Sequence, residues 1–321
     1  MKTLALAILA FPLLSTPFAH SAETYPVRPI RFVVPTGAGG ITDILARMIG
    51  QRLGERLGQQ IVIDNRPGSN GIVGTQLVAT ATPDGYTLVM VYPAHPVNPS
   101  LVAKLPYDTV KDFAPITMVS AVGLLLVTNP SLPAKSVREL IALAKQQPGR
   151  INYGAVGTGS LGHLGAELFR SQTGADITHV AYKSSPQIMT ALLSNEISVY
   201  FVATMSTAVP LVKAGKIRAL GVSSMQSLKI LPDVPPIADT VPGFDVKGWN
   251  GILGPARMPR PIVAKLSREI AQIVHTAEFT QRLEREGATP IGNTPEQFAA
   301  IIRADIAKWA KVIKAAGIRA H

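Results

Sequence analysis

The chain has 321 residues, of which 47% are hydrophobic and 16% are charged, and this composition is typical of a globular protein with one large core or two ordinary ones. It contains no cysteine, which excludes disulfides, thiolate catalysis, thiolate metal ligands and lipid anchoring through a cysteine. The formal net charge of +11 favours an anionic small molecule or an acidic partner, whereas scattered basic residues and 6% aromatic content argue against nucleic acid.

The first 22 residues differ in character from the rest of the chain. Lys2 is followed by an apolar run at 4–14 and by small residues at 19–22. This pattern predicts a secretory signal peptide, cleaved after Ser21 or Ala22 and too short to span a membrane. No later stretch holds about 18 uninterrupted apolar residues, so we expect the mature protein to be soluble and periplasmic.

From residue 24 onward, strand-like and helix-like stretches alternate, which is typical of an α/β fold. The predicted strands are 30–35, 61–65, 86–92, part of 114–128, 151–155, 178–182, 197–202 and 218–223. The predicted helices between them are 43–57, 74–79, 137–145, 161–172, 186–194 and 207–214. The proline-rich stretch 231–261 predicts an extended surface connector, and two amphipathic helices follow at 261–286 and 295–316. Thr294 and Gln297 predict a capping box at the start of the last helix.

These elements indicate two domains after the signal peptide at 1–22. Residues 23–125 and 225–321 form a discontinuous first domain, because the two terminal helices have no sheet of their own and must cover the first one. Residues 126–224 form the second domain, with a ligand cleft between the two. The strands at 124–128 and 218–223 are predicted to cross between the domains as a hinge.

One local pattern occurs twice: an apolar strand, a glycine-rich turn, and then the start of a helix. The first copy carries the turn 36–40 before Thr42 and Asp43, and the second carries the turn 157–160 before His163. The start of a helix exposes unpaired N–H groups at the positive end of the helix dipole, so each copy is a candidate anion site. Thr42 and Asp43 are candidates both for helix capping and for orienting the turn or the ligand.

The second turn also resembles a dinucleotide-binding fingerprint. Residues 157–162 read G-x-G-x-x-G after a strand and before a helix. The next predicted strand, however, ends at Lys183 in place of the acidic residue that would hold a ribose. We therefore expect the glycines to form a tight turn for a smaller anion, and we expect no cofactor.

A serine hydrolase is the second alternative for this turn. Residues 158–162 differ from a hydrolase nucleophile elbow at one position, which makes Ser160 a candidate nucleophile. That fold draws its histidine from late in the chain, where this sequence offers only His275 and His321. Ser160 is better interpreted as a hydroxyl donor and helix cap. The six histidines show no metal-ligand spacing, so no metal site is expected either.

Several short motifs together resemble one family. They lie in this order at 25–31, 38–43, 64–68, 83–88, 111–116 and 231–235. In this combination the chain resembles the Bug family, the extracytoplasmic solute receptors of tripartite tricarboxylate transporters, from about residue 24 to its end. The resemblance implies a type II periplasmic binding protein fold, in which two domains, each a mixed sheet flanked by helices, are joined by a two-strand hinge.

The resemblance also implies a function. Family ligands are mostly small carboxylates: di- and tricarboxylates, acidic amino acids, nicotinate and aromatic carboxylates such as terephthalate. The receptor is expected to be a monomer without catalytic activity that delivers its ligand to integral-membrane transporter subunits. A sensor kinase is the alternative partner in some members, and the sequence leaves this choice open.

The resemblance further implies the ligand-binding residues. They are Thr36, Gly37, Ala38, Gly39, Gly40, Thr42 and Asp43 in the first turn, Ala94 and His95, Thr158, Gly159, Ser160 and His163 in the second turn, Tyr182, Lys183 and Ser184, and Val202 and Ala203. Two of them depart from the usual family pattern. Ser184 replaces a glycine, and Val202 stands where many members have an aspartate that could pair with an amino group. We therefore expect a ligand without an α-amino group.

Overall fold

Two mixed β-sheets organise residues 25–318, which are the residues that the computed structural model describes. The predicted signal peptide at 1–22 lies outside the described residues. The strands are β1 (Ile30–Val34), β2 (Ile61–Asn65), β3 (Thr87–Val91), β4 (Phe113–Gly123), β5 (Leu125–Thr128), β6 (Ile151–Val156), β7 (Ile177–Tyr182), β8 (Val199–Val202), β9 (Arg218–Val222), β10 (Lys247–Pro255) and β11 (Ala288–Pro290).

Helices cover both sheets. They are α1 (Ile41–Leu57), α2 (Ile72–Ala79), α3 (Ala94–Leu101), α4 (Val137–Gln146), α5 (Leu161–Thr173), α6 (Ser185–Leu193), α7 (Met205–Lys213), α8 (Arg260–Val274), α9 (Ala277–Arg285) and α10 (Pro295–Ala315). Short 3₁₀ turns lie at Ser69–Gly71 and Ile237–Asp239. Between residues 25 and 318 no helix is long and apolar enough to cross a membrane.

Five strands of the first sheet repeat the arrangement of the second sheet, and β11 is an additional edge strand. The first has the order β11-β4-β10-β3-β1-β2 and the second has the order β7-β6-β8-β5-β9. In the first sheet β1 pairs in parallel with β2 and β3, and in the second β6 pairs in parallel with β7 and β8. Two antiparallel strands then follow each parallel trio, β10 and β4 in the first sheet and β5 and β9 in the second. The recurrence of one pattern in the sequence thus extends to the sheet order.

The chain crosses between the sheets twice, and one serine joins the crossings. β4 continues through Leu124 into β5, and β9 ends just before Ser223, after which the chain returns to the first sheet as β10. The fully buried Ser223 hydroxyl accepts the N–H of Leu124 at 2.6 Å and donates to the carbonyl of Val246 at 2.5 Å. This hydroxyl therefore links the segments that pass from one sheet to the other.

The predicted surface connector at 231–261 is wrong, because it contains β10, a buried strand in the interior of the first sheet. Glycine is depleted in strands, and β10 carries three of them, so its sequence gives no strand signal. The glycines are required by close packing. A Cβ atom on Gly251 would overlap the ring of Phe298, and one on Gly254 would overlap the sulfur of Met258.

The sequence also misassigned two helical regions. It missed α3, which contains Pro99 beyond its first turn, where a proline ordinarily interrupts a helix. The single helix predicted at 261–286 is two helices, because the chain breaks at His275 and Thr276 caps α9 by accepting the N–H of Phe279. The capping box formed by Thr294 and Gln297 is confirmed.

The last helix packs against the first sheet and also against α5, which covers the second sheet, whereas the sequence assigned it to the first sheet alone. Near its start, Phe298 lies in an apolar cluster with Trp249 and Leu253 of β10. Near its end, Trp309 lies in a different cluster with Phe169 of α5 in the second sheet's half of the protein. Helix α10 therefore connects the two sheets from outside.

The close packing of β10 predicts a specific loss of stability. We expect Gly251→Ala to lower the free energy of unfolding by ~1–3 kcal/mol, because the added methyl group meets the buried ring of Phe298. Urea unfolding of Gly251→Ala, Phe298→Leu and the double variant measures this loss. The loss should be smaller in the Phe298→Leu background, and equal losses in both backgrounds would contradict the packing explanation.

Candidate functional site

The carboxyl ends of the parallel strands lead into helices in both sheets. α1, α2 and α3 follow β1, β2 and β3, and α5, α6 and α7 follow β6, β7 and β8. Five of these six helices, within residues 25–318, have no side-chain cap on their first N–H groups, and only α5 is capped, by Ser160. Three of the other four helices are capped, by Ser136, Thr276 and Thr294. Uncapped helix starts at the carboxyl edge of a sheet are suited to binding anions.

The first turn, at 36–40, connects β1 to the uncapped start of α1. Gly37, Ala38, Gly39 and Gly40 are exposed. Gly39 has φ of +86°, which favours glycine, and Gly40 occupies the N-cap position without a side-chain hydrogen bond. The turn therefore presents its backbone to solvent at the carboxyl edge of the first sheet.

Asp43 holds this turn in place. Its side chain is only 3% exposed, and its carboxylate accepts the N–H of Gly39 at 2.9 Å, Nε of Arg47 at 3.0 Å and Nδ2 of Asn65 at 2.8 Å. Asn65 also donates to the carbonyl of Thr36 at 3.2 Å. Both oxygens of Asp43 are thus engaged within the protein, and the side chain orients the turn.

These contacts keep Asp43 ionised. Burial alone would raise the pKa of Asp43, but the hydrogen bonds from Arg47, Gly39 and Asn65 and the charge of Arg47 outweigh it and lower the pKa below its ordinary value of 3.8. The negative charge is paired with Arg47, so the first turn carries little net charge of its own.

Thr42 lies behind the turn and contacts a residue that the sequence did not single out. Asn250, on β10, donates from Nδ2 to the Thr42 hydroxyl at 3.1 Å, and both residues are buried. Asn250 stands where the register of β10 and β4 shifts. It was missed because β10 was missed, and Asn65 was not singled out although it ends the predicted strand 61–65. The position of Asn65 at the carboxyl end of β2 was the available signal.

The ring of His95 lies in the core, and the ligand contact expected of this residue stays a prediction. The residue is 3% exposed, and its ring lies 5.4 Å from that of Phe113 and 6.3 Å from that of Tyr107, between centroids. Burial lowers the pKa of His95 to about 4, against a smaller opposing effect of the Thr109 backbone, so the ring is neutral. Ala94, at the start of α3, is half-buried and remains the accessible part of this segment.

The second turn, at 157–160, repeats the geometry of the first. Gly157 and Gly159 have φ of +64° and +80°. The N–H of Gly159 donates to Nδ1 of His163 at 3.0 Å, and the hydroxyl of Ser160 accepts the backbone N–H of His163 at 3.3 Å. The predicted cap role of Ser160 is confirmed. Thr158, at the tip of the turn, is exposed. Because Nδ1 of His163 is occupied by Gly159, the ring is not placed as a base for Ser160.

The other two predicted segments lie along the same edge of the second sheet. Ser184 and Thr204 occupy the N-cap positions of α6 and α7 without capping them. Ala203 is exposed, whereas the side chain of Val202 is 1% exposed and packs in the apolar core. The hydroxyls and the helix N–H groups at this edge are therefore the groups available to a ligand.

Tyr182 and Lys183 lie farther out than the two glycine turns. The Tyr182 hydroxyl donates to Glu196 at 3.0 Å, and the backbone N–H of Lys183 donates to Gln187 at 3.2 Å. These residues line an open groove of about 580 Å³ beside β7, the outermost strand of the second sheet. No contact described for residues 25–318 brings this groove to the first turn.

The carboxyl edges of the two sheets meet at β10. A Cβ atom on Gly248 would lie 2.7 Å from Leu161, at the start of α5, and 3.2 Å from Pro93, just before α3. A Cβ atom on Gly159 would overlap Leu101 of α3. The second turn therefore packs on the end of α3. The start of α5 lies against Gly248, two residues along β10 from Asn250 and its Thr42 contact.

Asp43 predicts a pH dependence of stability. Its lowered pKa means that it stabilises the folded protein above its ordinary pKa of 3.8 and loses this contribution as the pH falls through the lower pKa of the folded state. We expect the difference in unfolding free energy between the parent and Asp43→Asn to be largest near neutral pH and to shrink below about pH 4. Denaturant unfolding at several pH values measures it, with Asp233→Asn, an exposed carboxylate, as the control. A difference that does not vary with pH would contradict this role.

Comparison with known proteins identifies the family. The family model described as "Tripartite tricarboxylate transporter family receptor" matches residues 45–318. The protein BugT of Bordetella pertussis is 35% identical over 302 residues, which cover 93% of this chain and 92% of BugT. These matches confirm the family that the sequence motifs predict.

Solved structures agree with the fold. The structure of Rpa4515 from R. palustris with adipate is 37% identical, with a TM-score of 0.76, and the match covers 92% of this chain and 100% of that one. MatC of Rhodopseudomonas palustris with bound malate is 30% identical, with a TM-score of 0.72, and the match covers 90% of this chain and 100% of MatC. The predicted fold class, two mixed sheets flanked by helices as in periplasmic binding proteins, is confirmed. The chain belongs to the tripartite tricarboxylate transporter receptor family and is a solute-binding receptor of that family.

Proposed function

We propose that this receptor binds a small carboxylate between the carboxyl edges of its two sheets and delivers it to the membrane subunits of a tripartite tricarboxylate-type transporter. The observation that carries the proposal is that the helices after both glycine turns begin against the same part of β10, with Thr42 of α1 at Asn250 and Leu161 of α5 at Gly248. Helix N–H groups stabilise an anion without a basic side chain. Relatives with 37% and 30% identity were solved with adipate and malate, which are both dicarboxylates.

In the proposed site, one set of side chains holds the turns in place and a different set of groups binds the ligand. Asp43 and His163 engage the turns, and Asn250 engages Thr42. The groups left for the ligand are the backbone of 37–40, Ala94, and the backbone and hydroxyls near 158–160, 184 and 203–204. Among the turn residues 36–43 and 157–163, Asp43 is the sole fixed charge in the sequence, and Arg47 pairs with it. The site thus has no unpaired charge, and the N–H dipoles at its two helix starts favour a ligand with a negative charge at each end.

The proposed ligand cycle uses two domains, 23–125 with 225–321 and 126–224. Rotation about the crossings at Leu124 and Ser223 would bring the two edges onto the ligand together, as in hinge closure. We assign the mature receptor to the periplasm, after cleavage of the signal peptide, and expect it to act as a monomer. A sensor kinase that recognises the closed form is the alternative partner, and ligand uptake reconstituted with the membrane subunits distinguishes the two.

A carboxylate panel tests the ligand class. We expect adipate, malate, citrate or terephthalate to raise the melting temperature of the mature protein, because a ligand that binds only the folded state stabilises it. At a ligand concentration 100 times Kd the gain is about 2.7 kcal/mol. Neutral analogues, such as the diamide of the best acid, serve as controls. If the diamide stabilises the protein as much as the acid, anion binding by the helix starts is wrong.

The valine at position 202 predicts discrimination against amino acids. Its apolar, buried side chain offers no carboxylate for an ammonium group, so an α-amino group would enter the site unpaired. We expect glutamate to bind roughly tenfold or more weakly than glutarate, and aspartate more weakly than succinate. Calorimetric titration of these matched pairs changes only the amino group. Tighter binding of glutamate than of glutarate would show this expectation to be wrong.

A further inference from the structure

The two glycine turns are held by the same hydrogen bond with different acceptors. In the first turn the N–H of Gly39 donates to Asp43 at 2.9 Å, and in the second the N–H of Gly159 donates to His163 at 3.0 Å. Both glycines have positive φ, and both acceptors are the third residue of their helix. The acceptor is a carboxylate in the first turn and an imidazole in the second.

The surroundings of the two acceptors differ in charge. One helical turn after Asp43, α1 carries Arg47, which donates to the carboxylate at 3.0 Å. One helical turn after His163, α5 carries Glu167, whose oxygens accept from Arg170 at 2.9 and 3.0 Å. A carboxylate at position 163 would therefore lack the cation that Asp43 has, and it would lie near a second carboxylate.

The imidazole of His163 is neutral and has a defined tautomer. It is 4% exposed, and its ring stacks on that of His179 at 4.3 Å and on that of Tyr153 at 6.3 Å, between centroids. Burial lowers the pKa of His163 to about 4, with a further contribution from His179, while Glu167 acts in the opposite direction and Arg170 in the same one. Because Nδ1 accepts the N–H of Gly159, the ring proton resides on Nε2.

We propose that His163 is a positioning residue of the carboxylate site, whose neutral imidazole fixes the second turn without placing a negative charge beside the anion. The proposal rests on the proposed function. Gly159, which His163 holds, packs directly on Leu101 of α3, so the same bond also sets where the second turn meets the first sheet. The ligand-facing N–H groups at the start of α5 are aligned by this turn.

Three substitutions separate the hydrogen bond, the ring and the charge. His163→Asn keeps a neutral acceptor and loses the ring, His163→Phe keeps the stacking ring and loses the acceptor, and His163→Asp keeps an acceptor and adds a charge. The probes are adipate and malate, titrated calorimetrically into the mature protein at low and high ionic strength. Thermal unfolding without ligand measures the structural effect of each variant.

The proposal predicts a distinct order of affinities. His163→Asn should bind within about threefold of the parent, whereas His163→Phe should bind about tenfold more weakly, which corresponds to one lost hydrogen bond. His163→Asp should bind more weakly than His163→Asn at both ionic strengths, because the buried carboxylate repels the bound anion and salt screens buried charges little. Stability should follow another order, with His163→Asn below His163→Phe, because asparagine loses the stacking on His179 and phenylalanine keeps it.

Several outcomes would overturn the proposal. It is wrong if His163→Phe binds the probes as tightly as the parent, if His163→Asn is as weak as His163→Phe, or if the affinities simply follow the melting temperatures. It is also wrong if the ¹⁵N shifts of the His163 ring in the free protein show a protonated Nδ1. If the parent binds neither these probes nor any other carboxylate of the panel, the proposed function fails and this proposal with it.

Discussion

The unpaired N–H groups at the starts of the helices are the constraint on which the rest of this structure depends. Parallel strands require crossover connections, so the helices that follow them all begin at the same edge of each sheet. Most of these helix starts, among residues 25–318, have no side-chain cap. Their N–H groups must be satisfied by water or by a ligand, and an anion satisfies the helix dipole as well.

The polar side chains near this edge serve mainly to shape the backbone. Asp43, Asn65 and Arg47 bond to one another and to the first turn, and His163 bonds to the second. Such mutual satisfaction leaves no unpaired charge to be buried when a ligand arrives, which avoids a large desolvation penalty. In the proposed function, the negative charge of the ligand therefore determines that carboxylates bind. The spacing of the two turns determines which carboxylate fits.

Local sequence signals predicted much of this molecule. The apolar strands, the glycine turns and the capping box at Thr294 were identifiable because each depends on residues close in the chain. β10 was not identifiable, because its glycines are explained by tertiary contacts, such as those of Gly251 with Phe298 and of Gly248 with Leu161, whose partners lie far along the chain. The core position of the His95 ring was not identifiable for a related reason. Its burial against Tyr107 and Phe113 is a tertiary contact that no local pattern reports.

The packing of α10 on both β10 and α5 has a consequence for the affinity of the receptor for its ligand. Its start packs on β10, where Trp249 also donates to Asp305 at 2.6 Å, and its end packs in the cluster that contains Phe169. Rotation of one sheet against the other must therefore change apolar contacts along this helix, far from the glycine turns. Apparent affinity scales with the fraction of molecules that are competent to bind. Residues of α10 outside the proposed ligand site can thus change the fraction of molecules that are competent to bind. Substitutions there can alter the apparent affinity of a receptor whose binding residues remain unchanged.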